Sequence, residues 1–83
     1  MNKSFKIGDV VKIKYIENMK FGWNPDMNEY IGNVCKIIEV NRCDDDAYYI
    51  YPLHWVPNKS NNWCWSESAF IRLTDEEIML ELL

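Results

Sequence analysis

The sequence predicts a mainly β fold, a small five-stranded barrel closed by a short C-terminal α-helix. Three observations predict it. Short runs rich in Val, Ile and Tyr alternate with Gly, Asn and Pro turn chemistry along most of the chain. Aromatic residues make up 14% of only 83 residues, which suits a small core because ring side chains remove the most apolar surface for each residue ordered. Near the end, a Thr-x-x-Glu signature precedes an apolar helical stripe. The whole chain, residues 1–83, is expected to be one domain, with the barrel over about 5–73 and the helix over about 75–83.

The first strand follows the turn pair Gly8-Asp9. Val10 to Ile16 alternates, with Val11, Ile13 and Tyr15 on one face and Lys12 and Lys14 on the other, which is the pattern of a half-buried strand. A long connection runs from Glu17 to Ile31. Its Gly22 and Asn24-Pro25 are turn chemistry, yet Phe21, Trp23, Met27 and Tyr30 are too apolar for a solvated loop. The segment therefore reads as a folded loop pinned to the barrel by those side chains, and loops longer than about 12 residues are often functional.

Gly32 introduces a second strand, Asn33 to Val40, and Asn41 to Asp46 forms a turn whose three aspartates keep its tip in water. Ala47 to Tyr51 is a third strand, ended by Pro52. Trp63-Cys64-Trp65 is a short fourth strand with both indoles on one face, Ser66 to Ala69 a single helical turn, and Phe70 to Leu73 the fifth strand. Thr74-Asp75-Glu76-Glu77 then caps a helix whose first turn is acidic, as the helix dipole favours. Ile78, Met79, Leu82 and Leu83 form its apolar stripe, expected to pack on the barrel in preference to standing free.

Charge and cysteine content narrow the function. Residues 1–43 hold seven Lys/Arg against five Asp/Glu, whereas residues 44–83 hold two against eight, for a net charge of −4. An acidic protein is repelled by phosphate backbones unless its charge is segregated, so a long nucleic-acid groove is excluded and the acidic half suits a basic protein surface. The three cysteines, Cys35, Cys43 and Cys64, are odd in number and form no Cys-x-x-Cys pair. They read as reduced thiols of a cytoplasmic protein rather than as a disulfide framework or a zinc site. No apolar run reaches the roughly 18 residues of a membrane span, so no membrane partner is expected.

The opening Phe5-Lys6-Ile7-Gly8-Asp9-Val10-Val11-Lys12-Ile13, the later Met27-x-x-Tyr30-x-Gly32, and Trp63-x-Trp65-Ser66-Glu67 together resemble small phage and prophage proteins. Those proteins carry a Src-homology-3-like barrel distantly similar to the Mind bomb/HERC-type domain. The resemblance covers about Phe5 to Leu73 and implies a five-stranded barrel and, in the eukaryotic relatives, protein binding. The chain departs from the pattern at Asn33-Val34-Cys35, in the length of the Pro52 to Asn62 connection, and in its terminal helix.

Catalytic chemistry is sparse. His54 is the only histidine, and no nucleophile elbow marks Cys64 or any serine as its partner. Asp44-Asp45-Asp46 lacks the alternating ligands and terminal Glu of a calcium loop, and the three glycines form no phosphate loop. The expectation is a non-enzymatic protein with no cofactor and no metal. The aromatics carry the functional signal, since Tyr48, Tyr49, Tyr51, Trp55, Trp63 and Trp65 cannot all be core in so small a barrel. Alternation sends Tyr49 and Tyr51 to the side opposite Tyr48 and Ile50, and at least one of Trp23, Trp55 and Trp63 is expected to be an exposed anchor.

These features predict a module that binds another protein, host or phage, through Phe21, Trp23, Tyr49, Tyr51, Trp55 and Trp63 together with Glu76 and Glu77. In its sharpest form the module is a phage inhibitor of a host defence protein such as a CRISPR nuclease. The alternative is a nucleic-acid-binding barrel using Lys12 and Lys14. A third reading is a homo-oligomer joined through the terminal helix.

Overall fold

The computed structural model describes residues 5–19, 21–41, 47–57 and 63–82. Four strands form one antiparallel sheet: β1 (Val10–Ile13), β2 (Val34–Asn41), β3 (Ala47–Pro52) and β4 (Phe70–Arg72), in the order β3-β2-β1-β4. A seven-residue helix, α1 (Asp75–Glu81), follows β4. The fold is thus mainly β with a short C-terminal helix.

The alternation expected of β1 holds where the strand exists. Val11 and Ile13 are buried, Lys12 is half-buried and Lys14 exposed. The strand stops at Ile13, shorter than the expected run to Ile16. The Lys14 amide still donates to the Ala69 carbonyl at 2.9 Å, in register with the β1–β4 pairing, and Tyr15 then meets the Trp23 ring edge-on at 4.9 Å. In β3 the alternation holds from Tyr48 onward: Tyr48 and Ile50 are buried, Tyr49 is half-buried and Tyr51 exposed, while Ala47 at the strand's start is buried as well.

The expected fourth strand, Trp63 to Trp65, is reduced to a single bridge. Trp65 and Tyr48 exchange both backbone hydrogen bonds at 2.9 Å, and the chain then turns at once into a short 3₁₀ helix, Glu67–Ala69. Both indoles nevertheless pack against one ring, since Tyr30 lies 5.7 Å from Trp63 and 5.4 Å from Trp65. The expected acidic turn at Asp44 to Asp46, Cys43, Lys20 and Leu83 lie outside the described residues.

The long first connection contains a six-residue 3₁₀ helix, Pro25–Tyr30, where a pinned loop was expected. Asn24 caps it by accepting from the Asp26 amide at 2.8 Å, and Pro25 supplies a preset φ at the first helical position. Met27 and Tyr30, three residues apart on this helix, are 2% and 0% exposed, so the pinning is real. Gly32, at φ 82°, ends the segment in a backbone region that side chains disfavour.

The core lies between the inner face of the sheet and this connection. Phe5, Tyr48 and Phe70 form one edge-to-face triangle, with centroids 5.4–6.4 Å apart. Tyr30, Trp65 and Trp23 form a second cluster. On the other face Val34, in register with Lys12, is also buried.

α1 corrects an expectation. Its capping box forms as the sequence implies, Thr74 N donating to Glu77 Oε1 at 2.8 Å and Glu77 N to Thr74 Oγ1 at 3.1 Å. The expected packing of its apolar stripe does not follow: no residue of α1 is buried, and Met79 and Leu82 are largely exposed. With only two turns, three of whose first residues are acidic, the helix presents too little continuous apolar surface to be drawn into the core.

Candidate functional site: an aromatic groove

The first connection and the segment before β4 enclose a groove of about 320 Å³, lined by Phe21, Gly22, Trp23, Asn24, Met27, Trp63 and Cys64. Two indoles form its walls. Trp23 is held on three sides: its Nε1 donates to Asn28 Oδ1 at 2.8 Å, Tyr15 stacks edge-on at 4.9 Å, and buried Trp65 stands perpendicular behind it at 5.6 Å. Trp63 is backed by Tyr30. Both walls are half-buried, so part of each indole stays accessible while packing holds the rest.

Several polar atoms of the lining are already committed. The Gly22 amide donates to the Met19 carbonyl at 3.0 Å, and the Asn24 side chain serves the 3₁₀ helix. The Asn24 amide meets Met27 Sδ at 3.1 Å, and Cys64 Sγ sits 3.3 Å from the Tyr49 hydroxyl. No Lys, Arg, Asp or Glu is among the described lining residues. With aromatic walls and no charged side chain among its described lining residues, the groove selects a ligand by shape and desolvation rather than by charge.

Of the side chains the sequence singled out, Phe21, Trp23 and Trp63 therefore come together, and Tyr49 reaches the groove's margin through Cys64. The others lie elsewhere. Tyr51 is exposed in register with Lys36. Trp55, at 83% exposure, is the most exposed large apolar residue among those described.

Glu76 and Glu77 belong to the first turn of α1. The Glu77 carboxyl is held below the ordinary carboxylate range, first by its hydrogen bonds with Thr74 and further by the charge of Lys12. Lys12 is thus close enough to an acidic side chain to feel it, while Lys14 is exposed one step beyond the strand.

Asn28, Met27, Tyr15 and Cys64 were missed as site residues. The signal for the first two was present: Asn24-Pro25 is helix-start chemistry as well as turn chemistry, and a helix from Pro25 places Met27 and Asn28 beside Trp23.

Cys35 is fully buried, and burial pushes its thiol up to about 12; Cys64 is half-buried. Among the described residues no group of three or more His, Cys, Asp or Glu is placed to hold a metal ion. No helix of the described residues is long and apolar enough to cross a membrane.

No family model, curated protein or solved structure matches the chain.

Proposed function

We propose that this domain is a non-enzymatic binding module that holds an extended, apolar segment of another protein in the groove between Trp23 and Trp63. One observation carries the reading: the groove has two aromatic walls held by packing and, among the described residues, no charged residue in its lining. A peptide can bury an uncharged side chain between such walls at little ordering cost to the site. A nucleic-acid strand could stack there too, but it needs cations along its backbone path, and the described lining residues supply none.

The finer architecture belongs to the same proposal. The sheet is read as a small closed barrel of Src-homology-3 type. Trp65 pairs with β3 at one edge, and β4, beginning five residues later, pairs with β1 at the other, so a single turn of chain spans the two edges. This reading is supported by the strand order and by the 3₁₀ turn between the two pairings. The narrower form, a mobile-element protein directed against a host defence enzyme, draws only on the family resemblance and on the acidic exposed turn of α1.

The test is capture from a bacterial lysate with tagged wild-type chain and with Trp63→Ala, each with and without nuclease. A discrete protein that survives nuclease and is lost with Trp63→Ala supports the groove. Recovery abolished by nuclease, and by Lys12→Ala with Lys14→Ala, transfers the function to nucleic acid. Recovery indifferent to Trp63 removes the groove from the mechanism.

A further inference from the structure

Two apolar side chains are buried outside the main core. Val34 and Leu73 are 1% and 9% exposed, yet neither belongs to the cluster that holds Val11, Ile37 and Tyr48. Val34 stands in register with Lys12, on the sheet face opposite that of Val11 and Cys35. Leu73 directly precedes Thr74, the N-cap of α1.

The contacts around Val34 place α1 over this outer face. Glu77 feels the charge of Lys12, and Glu81 Oε1 meets His54 Nε2 at 3.1 Å. His54 follows Leu53, whose amide donates to the Val34 carbonyl at 3.0 Å. Helical spacing puts Glu77, Ile78 and Glu81 on one side of α1. The burial agrees: Ile78 and Glu81 are half-buried, whereas Asp75, Glu76, Met79 and Leu80 are exposed. The helix therefore runs across Val34, from Lys12 at its first turn to His54 at its last, with Ile78 turned inward.

This cover is lightly held. α1 has seven residues and buries none of them. The His54 and Glu81 side chains are 52% and 37% exposed, where an ion pair contributes little. The face beneath is nevertheless a formed site, with an apolar spot at Val34 flanked by the Lys12 ammonium and the His54 imidazole. What it recognises can be read from what it holds, carboxylates at i and i+4 with an apolar side chain between them. Nucleic acid would supply the charge but no apolar side chain for the centre.

We infer that α1 is an intramolecular cover over a docking site for an acidic amphipathic helix of another protein. The incoming helix displaces α1 by presenting the same Glu-apolar-x-x-Glu pattern to Lys12, Val34 and His54. The inference stands independently of the groove.

The experiment adds a labelled synthetic peptide to the full chain and follows its anisotropy. The peptide carries Glu-Ile-Ala-Ala-Glu at the centre of an alanine–glutamine host of about 15 residues, long enough to be helical. Glu77→Gln with Glu81→Gln loosens the cover, while Gln at position 77 retains the capping box. The expected result is saturable binding that this variant tightens roughly tenfold and that Lys12→Ala with His54→Ala abolishes. Asp75→Asn with Glu76→Gln removes as many carboxylates from the outward side of α1 and leaves the affinity unchanged. When the peptide binds, the α1 amides that donate to Thr74 and Ile78 exchange faster, while those of β1 and β2 do not.

All the replaced residues are exposed or half-buried, so an unchanged thermal transition verifies the fold of each variant. Absence of saturable binding, an equal gain in the Asp75 and Glu76 variant, indifference to Lys12 and His54, or unaltered exchange in α1 would overturn the inference. So would equal binding of a scrambled peptide or of single-stranded oligothymidylate, which would make the face a general polyanion site. A wild-type dimer in sedimentation would overturn it as well, by assigning the site to the α1 of a second copy.

Discussion

The indole nitrogen of Trp23 donates to the side-chain oxygen of Asn28 at 2.8 Å, across five residues and one 3₁₀ helix. This bond sets the azimuth of a groove wall from within the same connection, so the wall is ordered before any ligand arrives. Replacing Asn28 with Ala removes the acceptor while leaving the aromatic packing. The expected cost in stability is modest, about 1 kcal/mol, whereas affinity for a groove ligand falls because the ring must then be ordered on binding. Denaturant unfolding and binding measured on the same variant check the pair.

The two tryptophans on either side of Cys64 should behave oppositely. Trp65 is fully buried against Tyr30 and Trp23, and Trp65→Ala should destabilise the fold by about 3–5 kcal/mol. Trp63 is half-buried, so Trp63→Ala should keep a cooperative thermal transition and lose binding. Comparable loss of stability in both variants would make Trp63 a core residue.

Cysteine reactivity should follow burial. Iodoacetamide applied to the native protein should modify Cys64 well before Cys35, as read by mass spectrometry of the separated peptides. An extended apolar peptide in the groove should shield Cys64, which lines it.

The same buried thiol gives an alkaline signature. Cys35 ionises near 9.0 in an unfolded chain and near 12 in the fold, so between those values the unfolded state has released a proton that the native state retains. Stability must therefore fall as pH rises through that window. Subtracting the pH profile of Cys35→Ala from that of the wild type should isolate this component, and parallel profiles would refute it.

At the acid end the sign is reversed. The Glu77 carboxyl is held low by Thr74 and Lys12, so its support of α1 is present at neutral pH and is lost as pH falls through the lowered folded-state value. Thr74→Ala should reduce helical circular dichroism at neutral pH and shrink its acid-dependent part. The sheet should be untouched, because α1 contributes no buried residue.

Strands and caps were legible in the sequence because their signals are local. Tyr48 and Ile50 against Tyr49 and Tyr51 is a period of two, and Thr74 with Glu77 is a reciprocal pair three residues apart; both need only neighbouring residues to be read. The 3₁₀ helix was half legible, since Met27 and Tyr30 were recognised as anchors although their three-residue spacing was not read as a turn of helix. The groove was legible only as an inventory of aromatics. Its walls come from residues 21–27 and 63–64, and no local pattern encodes that these two stretches meet. The exposure of α1 was hidden for a related reason: periodicity tells which residues share a face, not whether another surface is available to cover it.

The strand order carries a kinetic consequence. β1 is first along the chain but sits inside the sheet, between β2 and β4, and Val11 pairs with both Cys35 and Arg72. Its second edge stays unsatisfied until nearly the whole domain has been synthesised. During translation, the hairpin-like pairs β1–β2 and β2–β3 can assemble early, but completion awaits emergence of Arg72 from the ribosomal tunnel. The domain should therefore acquire protease resistance in one late step rather than strand by strand, as expected where the decisive contacts are remote in sequence.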